Sequence, residues 1–199
     1  CAGLWQAARE VGSVQVRCRA TLAGNVCRAS PSADTLPPLV ADSGAVHLHG
    51  PDGARRVAAE DFFTGPGRTV MAPDEVVTAF TLPPPPARSG KSYIKHGRRK
   101  AMELATVGVA VALSLTDDGA VDDVRIVLGA VAPTPIRARR AEDMMRGERV
   151  SPGLLEVVSR TAMSESKPIS DVRASAEYRR RMVGVLTQRA VEQALERAR

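Results

Sequence analysis

The side chains with chemistry to offer gather early in the chain. Thr21-Leu22-Ala23-Gly24-Asn25 sets a hydroxyl and a carboxamide on either side of small residues. The run reads as a tight turn, and glycine there lets backbone come close to a ligand because no side chain intervenes. Successive backbone N–H groups in such a turn form a concave anion site. Ala29-Ser30-Pro31-Ser32-Ala33-Asp34 follows and brings a carboxylate. Donors for a pyrophosphate and an acid for a ribose or amine are the groups that hold a dinucleotide. The same residues allow a plainer reading. Thr21 and Asn25 can close the turn through their own side chains, and Asp34 can cap the apolar turn after it.

Other candidates are weaker. His47 and His49 lie on one face of a strand, the minimum for a metal site, but no third ligand is near and a surface pair is expected. Lys95 on its strand reads as a solvated charge. Asp171, Arg173 and Ser175 precede a long helix, where capping is the default role. The three cysteines, Cys1, Cys18 and Cys27, are odd in number and make no C-x-x-C pair, so neither a disulfide framework nor a zinc site is indicated. Cys18 and Cys27 are expected as buried thiols in a reducing compartment.

The elements that must position these residues follow from hydrophobic period and turn residues. Residues 1–11 read as a helix with Leu4, Ala7, Ala8 and Val11 on one face. Leu36–Val40 is a helical turn with Pro37 and Pro38 at its start. Residues 45–49 and 55–59 form a hairpin about Gly50-Pro51-Asp52-Gly53, Pro66 and Gly67 interrupt regular structure, and residues 74–82 alternate as a strand. Pro83 to Pro86 form a stiff connection. Beyond it, residues 92–98, 107–115 and 121–131 are three strand candidates, the last two joined at Thr116-Asp117-Asp118-Gly119. Residues 137–146, 151–164 and 174–199 are helical, the last with Tyr178, Met182, Val185, Leu186, Ala190 and Leu195 along a stripe. Runs of strands and then of helices mean α+β.

Composition narrows the function classes. The 199 residues suffice for one large or two small domains, and aromatics make up only 3%. The net charge of +6 raises nucleic acid as a partner, but the basic residues come in short mixed runs and a base-stacking surface would need more aromatics. An acidic partner or an anionic cofactor accounts for the sign equally well. The longest apolar run, residues 104–115, is too short for a membrane span. The first residues lack a secretory pattern, which points to the cytoplasm. The chain opens with Cys, inside a helix, so further sequence is expected upstream.

The longer strings resemble one family. Arg19-Ala20-Thr21-Leu22-Ala23-Gly24-Asn25 with the Ala29–Asp34 segment is similar to the second flavin-binding segment, R-N-R-A-T-I-G-G-N followed by A-S-P-x-x-D, of the medium FAD-carrying subunit of the molybdenum hydroxylases, the xanthine dehydrogenase and carbon monoxide dehydrogenase family. Phe62-Phe63-Thr64-Gly65 with Thr69 and Asp74-Glu75 resembles its F-F-x-G-x-x-x-T-x-L-x-x-D-E. Tyr93-Ile94-Lys95 with Arg98-Arg99, Ala105 and Gly108 to Ala110 resembles Y-x-K-x-x-R-R-x-x-x-x-A-x-V-x-V-A. Gly129 to Pro135 resembles G-A-V-A-P-x-P, and Asp171 to Arg179 resembles D-x-R-x-S-A-x-Y-R. Five segments in order cover essentially the whole chain.

The resemblance implies the C-terminal half of a flavin-binding α/β domain (residues 1–83), a proline-rich linker (84–88), and a C-terminal domain (89–199) of a small antiparallel sheet packed on a three-helix bundle. It implies FAD as cofactor, with Thr21, Leu22, Ala23, Gly24 and Asn25 at the pyrophosphate, Asp34 on the flavin nucleotide, Val77 near the ring system and Lys95 beside the isoalloxazine, where a cation stabilises a reduced flavin. No catalytic or metal-ligating residue is assigned. The implied partners are a large molybdopterin-binding subunit and a small iron–sulfur subunit in a hetero-oligomer, with electrons passing from the clusters through FAD to an external acceptor. The chain departs from the pattern at Ala23, a glycine in the family where φ is expected to be positive, and at Cys18, usually Asn. The family's first flavin segment, A-G-G-x-S-L, is absent, so this stretch alone is expected to hold FAD weakly. The cysteine-rich insertion of the 4-hydroxybenzoyl-CoA reductase branch is also absent. The alternative is a basic adaptor or nucleic-acid module without cofactor, or a piece that folds and binds nothing.

Overall fold

A computed structural model describes residues 2–199; Cys1 lies outside the described residues. The first half runs α1 (Ala2–Glu10), α2 (Val14–Arg17), α3 (Leu22–Arg28), α4 (Leu36–Ala41), β1 (Ala45–Gly50), β2 (Gly53–Ala58), α5 (Ala59–Phe62), β3 (Phe63–Gly65), β4 (Arg68–Thr69) and β5 (Val76–Thr81). The second half runs β6 (Ser89–His96), β7 (Val107–Leu115), β8 (Val121–Gly129), β9 (Ile136–Arg137), α6 (Arg139–Met145), α7 (Pro152–Glu165) and α8 (Ala176–Ala198). All strand pairs are antiparallel, in three separate sheets ordered β2-β1-β5, β3-β4 and β6-β7-β8-β9. The α+β reading holds.

The structure corrects three details. The late sheet has four strands rather than three, because Ile136 and Arg137 pair with Leu128 and Val127 after Pro133 and Pro135 have turned the chain. Pro66 and Gly67 do not block regular structure; they make the tip of the β3-β4 hairpin, with Gly67 at φ +67°. The thiols of Cys18 and Cys27 are not buried: Cys18 is exposed and Cys27 half-buried.

β7 explains how the halves fit together. Its sequence Val-Gly-Val-Ala-Val-Ala-Leu-Ser-Leu alternates large and small, and a strand sends alternate side chains to opposite faces. Val107, Val109, Val111, Leu113 and Leu115 enter one core with the helices, including Val183, Leu186, Ala190 and Ala194 of α8 and Met145 of α6. Each fully buried aliphatic side chain contributes about 1.5–3 kcal/mol. The small residues face the first half, where Ala110 joins a second core with Leu36, Leu39, Val46, Leu48 and Phe62. Gly129 lies under Pro37, with no room there for a Cβ.

β6 is the edge strand of this sheet, wedged between α1 and α8. A Cβ at Gly90 would lie 1.8 Å from the Ala194 carbonyl oxygen, so only glycine lets α8 approach so closely. On the same side, the Ser92 hydroxyl donates to the Ala190 carbonyl at 2.7 Å. The outer edge is partly capped by Gln6 of α1, whose Oε1 accepts the Tyr93 N–H at 3.0 Å.

Candidate functional site

Thr21 to Asn25 does not form a tight turn. Thr21 is the N-cap of α3, with extended backbone, and its Oγ1 accepts the Gly24 N–H at 2.9 Å. Threonine before small residues is a capping signal, and the helix begins at Leu22. Ala23 and Gly24 are therefore helical, and neither has positive φ. The methyl of Ala23 is thus accommodated without strain. The first N–H groups of a helix have no intrahelical acceptor; Gly24 uses the cap and Asn25 donates to the Thr21 carbonyl, and among the described residues the Leu22 and Ala23 N–H groups have no acceptor. Among the described residues, and apart from its chain neighbours and the backbone of its own helix, a Cβ built on Gly24 meets Thr21 Oγ1, at 3.1 Å, and nothing else within 4 Å. Asn25 Oδ1 accepts from the Thr35 hydroxyl at 2.6 Å, which leaves its amide N–H groups unused by that contact.

Alternation along β6 sends Lys91, Tyr93 and Lys95 to one face, and each meets a carboxylate of the first half. Lys91 pairs with Asp42 at 3.0 Å. The Tyr93 hydroxyl donates to Asp34 Oδ1 at 2.8 Å, and Lys95 Nζ donates to Asp34 Oδ2 at 2.9 Å and to the Glu10 carbonyl at 2.9 Å. Lys95 is therefore not a solvated charge; its side chain and that of Asp34 are each 7% exposed. Nor does Asp34 cap α4, whose N-cap is Thr35. Burial raises the Asp34 carboxyl above its ordinary value, against the opposing pull of Lys95 and Tyr93. Burial and the neighbouring Asp34 charge push the Tyr93 phenol well above its ordinary value.

Two cavities open beside these groups. One of about 540 Å³ has apolar walls from Leu4, Trp5 and Ala8 of α1, from Val11 just after it and from Leu22, with Thr21, Asn25 and Thr35 as its polar edge. The second, about 460 Å³, reaches Tyr93 and Lys95 and shares Trp5, Arg9 and Arg17 with the first. Trp5 is 59% exposed and lies under the Arg9 guanidinium, 4.8 Å from the ring centroid. An apolar wall, two arginines, a capped helix start and a buried ammonium form a donor set suited to an anionic group joined to a flat apolar one. That chemistry fits a flavin dinucleotide.

The structure thus brings Thr21, Leu22 and Asn25 to one cavity and Asp34 and Lys95 together beside the next. Val77 sits on β5, half-buried against the first-half core that also receives Leu22, and lines neither cavity. Among the described residues the histidines of β1 belong to no group of three or more metal-ligating side chains; His47 Nε2 hydrogen-bonds the Thr81 hydroxyl at 2.6 Å. Ser175 does cap α8, accepting the Tyr178 N–H at 3.2 Å. Asp171, however, is a charge partner rather than a cap: it accepts from Arg173 and from Arg179, each at 2.7 Å. Its carboxyl pays a desolvation cost, yet the hydrogen bonds of Arg173, Arg179 and the backbone hold it well below the usual range.

Sequence reasoning missed Tyr93 and Arg179 as functional or structural centres. The signal for Tyr93 was its place two residues before Lys95, on the same strand face. Arg179 carries no local sign of burial; it is 1% exposed and reaches the Thr106 and Ala130 carbonyls from inside a helix rich in charges.

Comparison with known proteins bears on the same features. Residues 1–85 match the FAD binding domain in molybdopterin dehydrogenase, and residues 92–194 match the CO dehydrogenase flavoprotein C-terminal domain. The chain is 33% identical over 196 residues to a xanthine dehydrogenase FAD-binding subunit of Escherichia coli O157:H7, covering 98% of this chain and 67% of that one. It is 37% identical over 190 residues to the carbon monoxide dehydrogenase medium chain of Afipia carboxidovorans, covering 95% and 65%. The structure superimposes with a TM-score of 0.92 on carbon monoxide dehydrogenase from Hydrogenophaga pseudoflava lacking the Mo-pyranopterin moiety, at 32% identity and covering 96% of this chain and 66% of that chain. The chain thus spans about two thirds of the length of these relatives.

Proposed function

Because the chain belongs to the FAD-binding subunits of the molybdopterin-dependent dehydrogenases, we propose that it carries electrons through FAD, from iron–sulfur clusters of a small partner subunit to an external acceptor. The large partner would bind molybdopterin and oxidise the substrate. Membership makes FAD the cofactor and an oxidoreductase the enzyme class. FAD supplies the step between one-electron and two-electron carriers. None of the helices of the described residues is long and apolar enough to cross a membrane.

The observation that carries the site is the convergence of the α3 cap and the buried Lys95–Asp34 pair on two adjoining cavities with apolar walls and two arginines. Leu22 and Ala23 would offer N–H groups, and Thr21 and Asn25 their side chains, to the phosphates. Gly24 would leave the approach open. Lys95 would place its charge by the flavin, and Asp34 would orient Lys95 and accept from the cofactor's polar edge. Val77 would act from behind, by packing the core that seats Leu22. We also read residues 1–83 as part of the FAD-binding domain, 84–88 as linker and 89–199 as the C-terminal domain. The separate sheets on either side of the prolines and the two matched stretches support that division.

The test is stopped-flow mixing of the purified natural polypeptide with its reduced iron–sulfur partner. Bleaching of the flavin bands on mixing is expected. A flavin that stays oxidised beside a reduced partner would refute the electron-transfer role while leaving FAD binding intact.

A further inference from the structure

We propose that Tyr93 is a positioning residue for the cofactor: its hydroxyl, seated over Gly108, fixes the Asp34 carboxylate so that Lys95 keeps one ammonium N–H free. This rests on the FAD-binding reading above.

The geometry is specific. A carboxylate with both oxygens open can take two N–H groups from one ammonium. Here Oδ1 is occupied by the Tyr93 hydroxyl at 2.8 Å, so Lys95 spends one N–H on Oδ2 and a second on the Glu10 carbonyl. An ammonium has three donors, and no partner for the third is found among the described residues. Lys95 lines the cavity shared with Trp5, Arg9 and Arg17.

The terminal torsion of aspartate is soft and roughly two-fold, so something must hold the carboxylate plane. Tyr93 is itself held. It is 5% exposed, and a Cβ at Gly108, on β7 two residues from the Tyr93 register partner Ala110, would lie 2.7 Å from its hydroxyl and 3.2 Å from its ring. A side chain at that position would push the phenol off Asp34. Lys95 pairs with the same Gly108 in register, so one bare position serves both side chains. The charged and titratable groups facing Asp34 are Lys95 and Tyr93 from β6 and Glu10 from α1. The Tyr93 hydrogen bond favours the ionised carboxylate, so removing it lets Asp34 take up a proton at higher pH.

The experiment is titration of the flavin-stripped natural polypeptide with FAD, from neutral to acid pH, followed by quenching of flavin fluorescence. Tyr93→Phe is expected to weaken FAD about tenfold at neutral pH, the equivalent of about 1.4 kcal/mol, and to begin losing FAD at higher pH than wild type. Gly108→Ala, which keeps the hydroxyl but displaces it, is expected to move the acid limb the same way. Adding Gly108→Ala to Tyr93→Phe should cost less than Gly108→Ala costs the wild type, because the tightest contact of the methyl, at 2.7 Å, is with the lost hydroxyl and only the ring contacts at 3.2 and 3.3 Å remain. Wild-type affinity and an unmoved acid limb in Tyr93→Phe would overturn the proposal. So would a loss equal at every pH, the mark of a merely structural tyrosine. A wild-type chain that binds no FAD would overturn the functional reading and this inference with it, whereas binding that ignores Tyr93 overturns the inference alone.

Discussion

Lys95 Nζ sits 2.9 Å from Asp34 Oδ2 across 61 residues of sequence, joining the sheet of the second half to the loop between α3 and α4. Both side chains are almost wholly buried. Removing one partner of a buried pair leaves an uncompensated charge, which costs about 3–5 kcal/mol. Lys95→Met should therefore lower stability by about that amount in urea unfolding at neutral pH. The double variant Asp34→Asn, Lys95→Met should recover much of it, because no bare charge remains. Equal stability of wild type and Lys95→Met would show that the pair is hydrated in solution.

Arg55 and Glu75 tie β2 to the loop before β5 with two hydrogen bonds, at 2.5 and 2.7 Å, and Glu75 also accepts the Ala72 N–H. The Arg55 contact and the backbone bond lower the Glu75 carboxyl from 4.5 to about 2. A carboxylate depressed on folding stabilises the fold above its unfolded value, and that contribution is lost as pH falls through the folded one. The difference in thermal midpoint between wild type and Glu75→Gln should thus be constant above about 4.5 and shrink as pH drops towards about 2. A difference that does not change across this window would contradict the assignment.

Arg179 is a guanidinium inside the core, 2% exposed at its side chain, with Asp171 as its only acidic partner among the described residues. Asp171→Ala would strand it, and a loss of about 3 kcal/mol is expected in chemical denaturation. Arg179→Met together with Asp171→Ala should be milder than Asp171→Ala alone. The reverse order would mean that the Thr106 and Ala130 carbonyls, not Asp171, satisfy this arginine.

Gly90→Ala forces a methyl onto the Ala194 carbonyl, where a Cβ has 1.8 Å. The helix must shift as a body, and overpacking of this kind costs about 1–3 kcal/mol or more. Circular dichroism melting is the check. An unchanged melting temperature would mean that α8 lies farther from β6 than the structure shows.

Much of this fold is written in local pattern. The alternation of Val107 to Leu115 marks a strand with one heavy and one light face, and the Gly147 stop and Ser151 and Ser175 caps mark the ends of the late helices. The helical start at Thr21 was hidden because threonine, alanine, glycine and asparagine serve a turn and a capped first turn equally well. β9 was hidden because two residues after a pair of prolines have no period; the Val127 and Leu128 backbone makes the strand. Of the proposed site, Thr21 to Asn25, Asp34 and Lys95 are visible as motifs. That Asp34 and Lys95 bind each other is not, since register across distant segments is a tertiary fact. The β6–β7 register lays the odd-numbered face of β6 on the first half and so brings the two together.

The most direct test of the central claim is the visible absorption spectrum of the purified natural polypeptide. The two bands of an oxidised flavin are expected at one FAD per chain, bleached on reduction. A folded chain with no flavin bands, and none gained after incubation with FAD, would contradict it.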